Sequence, residues 1–423
     1  MTLPVTEFRR YPRILLADPV AARESSIRRR ISLAWYLLFF NTLTYVPGYS
    51  VFDFPSKIGK ALAQGSLPVA LILLLTVNPR LKVRPNLFLG IVSLLVLDTV
   101  LTAADVHHLG TAFRTFRLAE YVFALWLLTP WWARGDMLLL RLMLRALYVV
   151  LGSVVLGLLL SPGRAFAYDG RLTGAIWPIM PTQVAQFAAV AAGVTILFWL
   201  GRLVSGRIAL VGVAFDLVIL LLTHTRTALV GLVAGILVAG LSLFFINSRV
   251  RKFFASIAVS AAVAVAAAAG FLITWLARGE STQGLTSLTG RTDFWALVLN
   301  LPRTRLQEIL GFGLTNASIN GLPIDSNWLA AYLQEGLFGV AVCAAILVFL
   351  LVAAFFRSTG LRRALVLFLV TYCLLASFTE DSFTDVSPYL MYLTVAASLF
   401  TAARSGPPRR SMQPADPGYV ELR

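Results

Sequence analysis

Apolar runs long enough to cross a lipid bilayer recur along almost the whole chain, and short connections are all that separate most of them. This pattern limits the fold more than any single motif. A span needs about 20 apolar residues, so 423 residues leave room for about twelve. Charged residues make up 13% of the chain and hydrophobic ones 58%, whereas a soluble domain carries about a quarter charged. Water is therefore not the main solvent for this chain. The expected class is an all-α integral membrane protein of about twelve transmembrane helices, with no soluble domain of any size.

Spans are expected near 32–48, 64–78, 86–104, 114–132, 138–160, 183–200, 207–223, 227–246, 254–276, 328–355, 362–378 and 387–403. A basic leader, 1–30, precedes the membrane region 31–403, and a Pro-, Arg- and Ser-rich tail, 404–423, is expected to be disordered. The leader ends in Arg28-Arg29-Arg30 with no small-residue cleavage site after it, so the first helix is expected to stay. Alternate connections carry the arginines and lysines: Arg80, Lys82 and Arg84, then Arg134 with Arg141, Arg202 with Arg207, Arg249, Arg251 and Lys252, and Arg357, Arg362 and Arg363. The positive-inside rule puts these, and both termini, in the cytoplasm, which fits a multi-pass protein of the plasma (inner) membrane. The formal charge of +16 thus points to lipid headgroups and anionic lipid-linked partners. Nucleic acid would need a soluble basic face. Cys343 and Cys373 fall inside apolar runs, which suits packing and excludes a disulfide framework.

Two outer connections are long, 161–182 and 277–327. The second should contain an amphipathic helix over 293–300, capped by Thr292 or Asp293, and a further helical turn over 303–310. No internal repeat is visible in the sequence.

Against the orientation rule, Arg114, Arg117, Arg171, Arg226 and Arg291 map to the outer mouth of the bundle. Arginine offers a planar fork that grips phosphate oxygens two at a time, and several forks would make a pyrophosphate pocket. Plainer roles stand beside that one. Arg117 can pair with Glu120 one turn on, Arg114 can snorkel to headgroups, and Arg226 can contact a headgroup at the start of its span. Arg171 can be a solvated loop residue, and Arg291 a surface charge beside Asp293.

Carboxylates gather at the same end: Asp325, Glu335, Glu380, Asp381 and Asp385. Asp325 could serve as general base toward a hydroxyl or as N-cap of the span near 328. Glu335 lies deeper and suits a neighbouring helix, while Glu380 either pairs with an arginine or borders a loop. His224, next to Arg226, supports the site or is structural; His107 and His108 look solvated. No metal-ligand motif, Walker loop or nucleotide-sugar motif is present, so neither a metal nor a cofactor is expected.

Asp325-Ser326, nine residues and then Gly336-Leu-Phe-Gly339 resemble the signature of the O-antigen ligase and O-antigen polymerase superfamily. Further matches are Arg171-Leu-Thr-Gly174, Thr225-Arg-Thr-Ala-Leu229, Gly290-Arg291 with Trp295, Gly311-Phe-Gly313, and Glu380. They cover 171–380, and the first four spans match in hydropathy alone. The resemblance implies a GT-C-like membrane glycosyltransferase with a long external loop before its tenth span. Such enzymes transfer a polyprenyl-pyrophosphate-linked glycan to a glycan or lipid hydroxyl, with Arg171 and Arg226 matching arginines near the donor pyrophosphate. Asp325 stands where the ligases have histidine, which favours the exopolysaccharide polymerase-like members.

Metal-independent inverting transfer follows as the expected chemistry. Arg226, Arg171 and Arg291 would hold the pyrophosphate, with Arg114 or Arg117 assisting, and Asp325 would orient or deprotonate the acceptor. A lipid-linked glycan flippase or other polytopic transporter is the main rival, and it would place charges near the bilayer midplane. A peptidoglycan polymerase of the shape, elongation and division family fits the motifs less well.

Overall fold

The computed structural model describes residues 19–52, 55–106, 109–132, 136–244, 247–256, 291–314, 318–319, 322–380 and 383–400. The helices are α1 (Pro19–Asn41), α2 (Ser56–Val77), α3 (Leu87–Val106), α4 (Leu109–Leu128), α5 (Leu138–Leu160), the short α6 (Pro162–Ala165), α7 (Pro181–Leu200), α8 (Gly206–Leu222) and α9 (Arg226–Phe244). Beyond 290 come α10 (Arg291–Leu299), α11 (Arg305–Leu310), α12 (Asn327–Arg357), α13 (Gly360–Ala376) and α14 (Pro388–Ser398). A two-residue hairpin, Ser318–Ile319 against Leu322–Pro323, is the one sheet among the described residues.

Among the described residues six helices are long and apolar enough to cross a membrane: α2, α3 up to Ala104, α5, α7, α9 and α12. The other expected spans are also helical, apart from 254–276, which lies mostly outside the described residues. α8 and α13 have 17 residues each and α14 has 11. α4 carries Arg114, Arg117 and Glu120 between its sixth and twelfth residues.

Successive long helices run up and down. At one end, Asn78 after α2 donates to Leu127 O of α4, and Arg28 of α1 pairs with Asp136 before α5 at 3.0 Å. The short basic connections sit here, and this is called the basic end. At the looped end, Asn41 closing α1 donates to Ala63 O of α2, and Asn327 N at the start of α12 donates to Ser377 O beyond α13.

The centre of the bundle is α13 packed on α9 and α7. Small residues make this possible. A Cβ on Gly231 would approach the Tyr372 ring to 2.9 Å, one on Gly235 would meet Phe368 at 2.8 Å, and one on Gly193 would run into Phe368. Where lipid surrounds helices there is no hydrophobic drive between them, so close backbone approach supplies the attraction. α7 is buried along nearly its whole length, while α5 and α8 leave Leu159, Leu210 and Val211 exposed.

Three local expectations change. α1 begins at Pro19, inside the 1–30 leader, because no breaker separates the polar Ala-Arg-Glu-Ser stretch from the apolar run. The loop helix starts at Arg291, so Thr292 and Asp293 lie in its first turn, where carboxylates suit the dipole, and neither is the cap. Before α12, Ser326 holds the N-cap position with extended backbone, so Asp325 is not the N-cap.

Candidate functional site

The turn after α13, residues 377–387, is the hub of the looped end. Its first residue accepts from Asn327 N. Thr379 Oγ1 lies 2.9 Å from Thr227 Oγ1 in the first turn of α9. Phe383 N donates to the side chain of Asn327 at 2.7 Å. Asp385 stands 3.9 Å from the guanidinium of Arg117 on α4. Three helices distant in the chain, α4, α9 and α12, therefore meet on one short segment.

Arg171 reaches this hub from the first long connection, and local chemistry aims it. Asp169 and Gly170 both have positive φ, 48° and 68°, as the two central residues of a type I′ turn require. The turn closes with Arg171 N donating to Tyr168 O at 2.8 Å. The guanidinium lies 5.8 Å from the Tyr168 ring centre. Its Nε donates to Thr223 O at 2.9 Å and its Nη2 to Thr225 Oγ1 at 3.0 Å. Half-burial lowers the pKa of this group below the ordinary arginine value, and Tyr168, Glu380 and Asp169 pull the other way. Glu380 is thus close enough to act on its charge.

Arg226 is the first residue of α9, between Thr225, which Arg171 holds, and Thr227, which Thr379 touches. The junction from α8 to α9 is only three residues long because His224 takes φ 49°, a left-handed conformation that histidine adopts more readily than most side chains. His224 has a backbone role here, whatever else it contacts. Arg117 does not pair with Glu120: its donors go to Asn41 Oδ1 at 3.1 Å and Asn41 O at 3.0 Å, and its ion pair is with Asp385. Arg114 is one turn nearer the start of the same helix and half-buried.

Asp325 precedes the buried Ser326 and Asn327 and is itself half-buried at the rim of the hub. Glu335 is fully buried two turns deeper. Arg291 opens α10, but its side chain lies outside the described residues, as do Asp381, His107 and His108. The structure therefore brings the segments that carry Arg171, Arg226 and Glu380 together, pairs Arg117 with Asp385 of the same turn, sets Asp325 two residues before Asn327, and does not place the Arg291 fork.

Sequence reasoning passed over the residues that do the orienting: Thr223, Thr225, Thr227, Thr379, Asn41 and Asn327. Thr225 and Thr227 flank Arg226 within a matched stretch, which was the available signal. Arg303 was also passed over. Its guanidinium lies 4.0 Å from the Tyr332 ring centre and 5.3 Å from that of Phe312, and it donates to Tyr332 O at 2.8 Å and Val298 O at 3.2 Å. Burial lowers its pKa, while Tyr332 and Glu308 raise it. Arg303 clamps the second long connection to α12.

Among the described residues no group of three or more histidine, cysteine, aspartate or glutamate side chains is arranged to hold a metal. A scan against protein-family models finds no match to the chain, and neither does a search of curated proteins.

Proposed function

We propose that this chain is a membrane glycosyltransferase of the O-antigen ligase and polymerase kind, with about twelve spans, a GT-C-like fold and both termini cytoplasmic. One observation carries the reading: the 377–387 turn gathers arginine-bearing segments of the first connection, α4 and α9 beside Asp325, Glu380 and Asp385 at a single end of the bundle. In this reading the looped end is external, and the donor is a glycan on a polyprenyl pyrophosphate. Arg226 and Arg171, with Arg291, Arg117 or Arg114 assisting, neutralise the diphosphate. Asp325 orients the acceptor hydroxyl and takes its proton as the oxygen attacks the anomeric carbon. The bond from that carbon to the diphosphate oxygen breaks, inversion results, and lipid diphosphate departs. Diphosphate is already a good leaving group, so positioning and charge neutralisation supply most of the catalysis.

Deletion of the gene, complemented by wild-type, Arg226→Ala or Asp325→Ala chains, tests this. Gels of envelope polysaccharide should show single-repeat products from both variants at wild-type membrane levels. Wild-type product lengths from both variants would refute the assignment.

A second reading draws on a different observation. Asp98 in the middle of α3 and Asp216 in the middle of α8 are buried within apolar helices. Neither Asp98 oxygen has a hydrogen-bond partner among the described residues, while Asp216 accepts from Tyr148 at 3.1 Å. Charges at that depth suit a flippase or transporter. Liposomes loaded with lipid-linked glycan separate the two readings, because flux without new glycosidic bonds favours transport.

A further inference from the structure

Helices α1 and α5 run parallel from the basic end, where Arg28 and Asp136 tie them together at 3.0 Å. Above that tie they part. A groove of about 780 Å³ opens between them, walled by Tyr36, Leu37, Phe40, Leu43, Val149 and Val150. The wall is apolar throughout except at Arg145 and the tyrosines.

Arg145 is the unexpected feature. Tyr36 is eight residues beyond Arg28, so it and Arg145 stand about 12 Å above the Arg28–Asp136 tie at 1.5 Å per residue. The side chain is exposed, and among the described residues no hydrogen bond or ion pair reaches it. A guanidinium so far inside an apolar helix is costly without a partner. Arg141, one turn nearer the basic end on the same face, is exposed as well. The groove therefore has the polarity of an amphiphile: cations below, an apolar trough rising above them.

We propose that this groove binds one anionic phospholipid of the bilayer, its phosphate on Arg145 with Arg141 assisting and an acyl chain lying between α1 and α5. Charge complementarity selects the headgroup, since an isolated fork on a membrane helix suits a phosphate bidentately. The apolar lining selects the chain. The lipid fills the gap that the two helices leave above their single ion pair and so joins the α1 side of the bundle to α5. The Phe40 ring in the wall packs at a tilt against Trp177 of the first long connection, centres 4.7 Å apart. Occupancy at the groove thus bears on the packing beneath the looped end. None of this depends on the transfer activity proposed above.

Purified full-length chain in detergent, with native mass spectrometry and thermal melting, provides the test. Phosphatidylglycerol should bind at about one per chain and raise the melting temperature, while phosphatidylcholine should not. Arg145→Gln should weaken phosphatidylglycerol binding about tenfold or more. Val149→Trp, which fills the exposed wall and leaves the cation, should weaken it too. Both variants should melt near the wild-type temperature without lipid. Equal stabilisation by both lipids, or full binding by Arg145→Gln and Val149→Trp, overturns the proposal. Stabilisation by polyprenyl phosphate alone also overturns it, and would make the groove a path for a carrier-lipid tail.

Discussion

The two long connections at the looped end are held in opposite ways. The first, between α5 and α7, is stitched along its length. Val46 N and Val51 N donate to Pro178 O and Ala175 O, Leu172 N donates to Leu222 O, Thr173 N donates to Ala165 O, and Trp177 Nε1 donates to Thr44 O. Its backbone needs are met by many ordinary hydrogen bonds, so the loss of one leaves the rest. The second, from α10 to α12, is fastened among the described residues at a few points: the Arg303 clamp, the Thr304 capping box, and the contact of residues 309–313 with a break in α12 at Gly336. Distributed anchoring gives a fixed floor for Arg171. Anchoring at a few points makes the second connection sensitive to single residues.

The sharpest way to break this contrast is at the glycines. Gly311 and Gly336 have φ of 78° and 63°, and a Cβ on either would run into the main chain of the other segment. Gly336→Ala should cost about 3 kcal/mol or more, because left-handed strain adds to a clash with backbone that cannot yield. Gly170, in the first connection, has φ of 68° but open space around it. Gly170→Ala should cost only about 1 kcal/mol. Thermal melting in detergent compares the two, and equal losses would remove the distinction.

Arginine substitutions come next. Arg303→Ala loses two carbonyl bonds and contact with two rings, about 2–3 kcal/mol. Hydrogen exchange should then rise over 298–314 and stay unchanged over 161–180. Arg171→Lys should reverse that pattern of consequence: the fold should hold, while polymer yield falls about tenfold or more, because an ammonium cannot span Thr223 O and Thr225 and still face a diphosphate. An effect as small as that of Gly170→Ala is expected at Thr304→Ala, which removes the capping box of α11 for about 1 kcal/mol. Its loss should register as local exchange protection lost over 304–310 alone.

Helix positions are legible because apolar length is a strong signal that no tertiary contact overrides, and the apolar run 138–160 coincides with α5 at both ends. The Asp169-Gly170 turn was equally open to reading, since that dipeptide tolerates left-handed backbone. The partner of Arg117 was not. Glu120 is near in sequence and Asp385 far, and only the assembled bundle decides between them. The break at Gly336 was hidden for a related reason. A glycine within an apolar run is silent until a second backbone is found pressed against it. The Gly231 and Gly235 pair, four residues apart on α9, carried a packing signal that was not taken up.

The interruption of α12 has a consequence for how this chain enters its surroundings. Two carbonyls released there, of Leu333 and Gln334, accept from the N–H groups of Phe312 and Gly313 at 2.9 and 2.8 Å. The incoming strand of loop replaces the missing turn of the helix, like a splint laid along a fracture. Pulling it away would leave two carbonyl oxygens of buried residues without partners. Loop and helix must therefore seat together, and any force on that loop is delivered directly to the longest helix among the described residues.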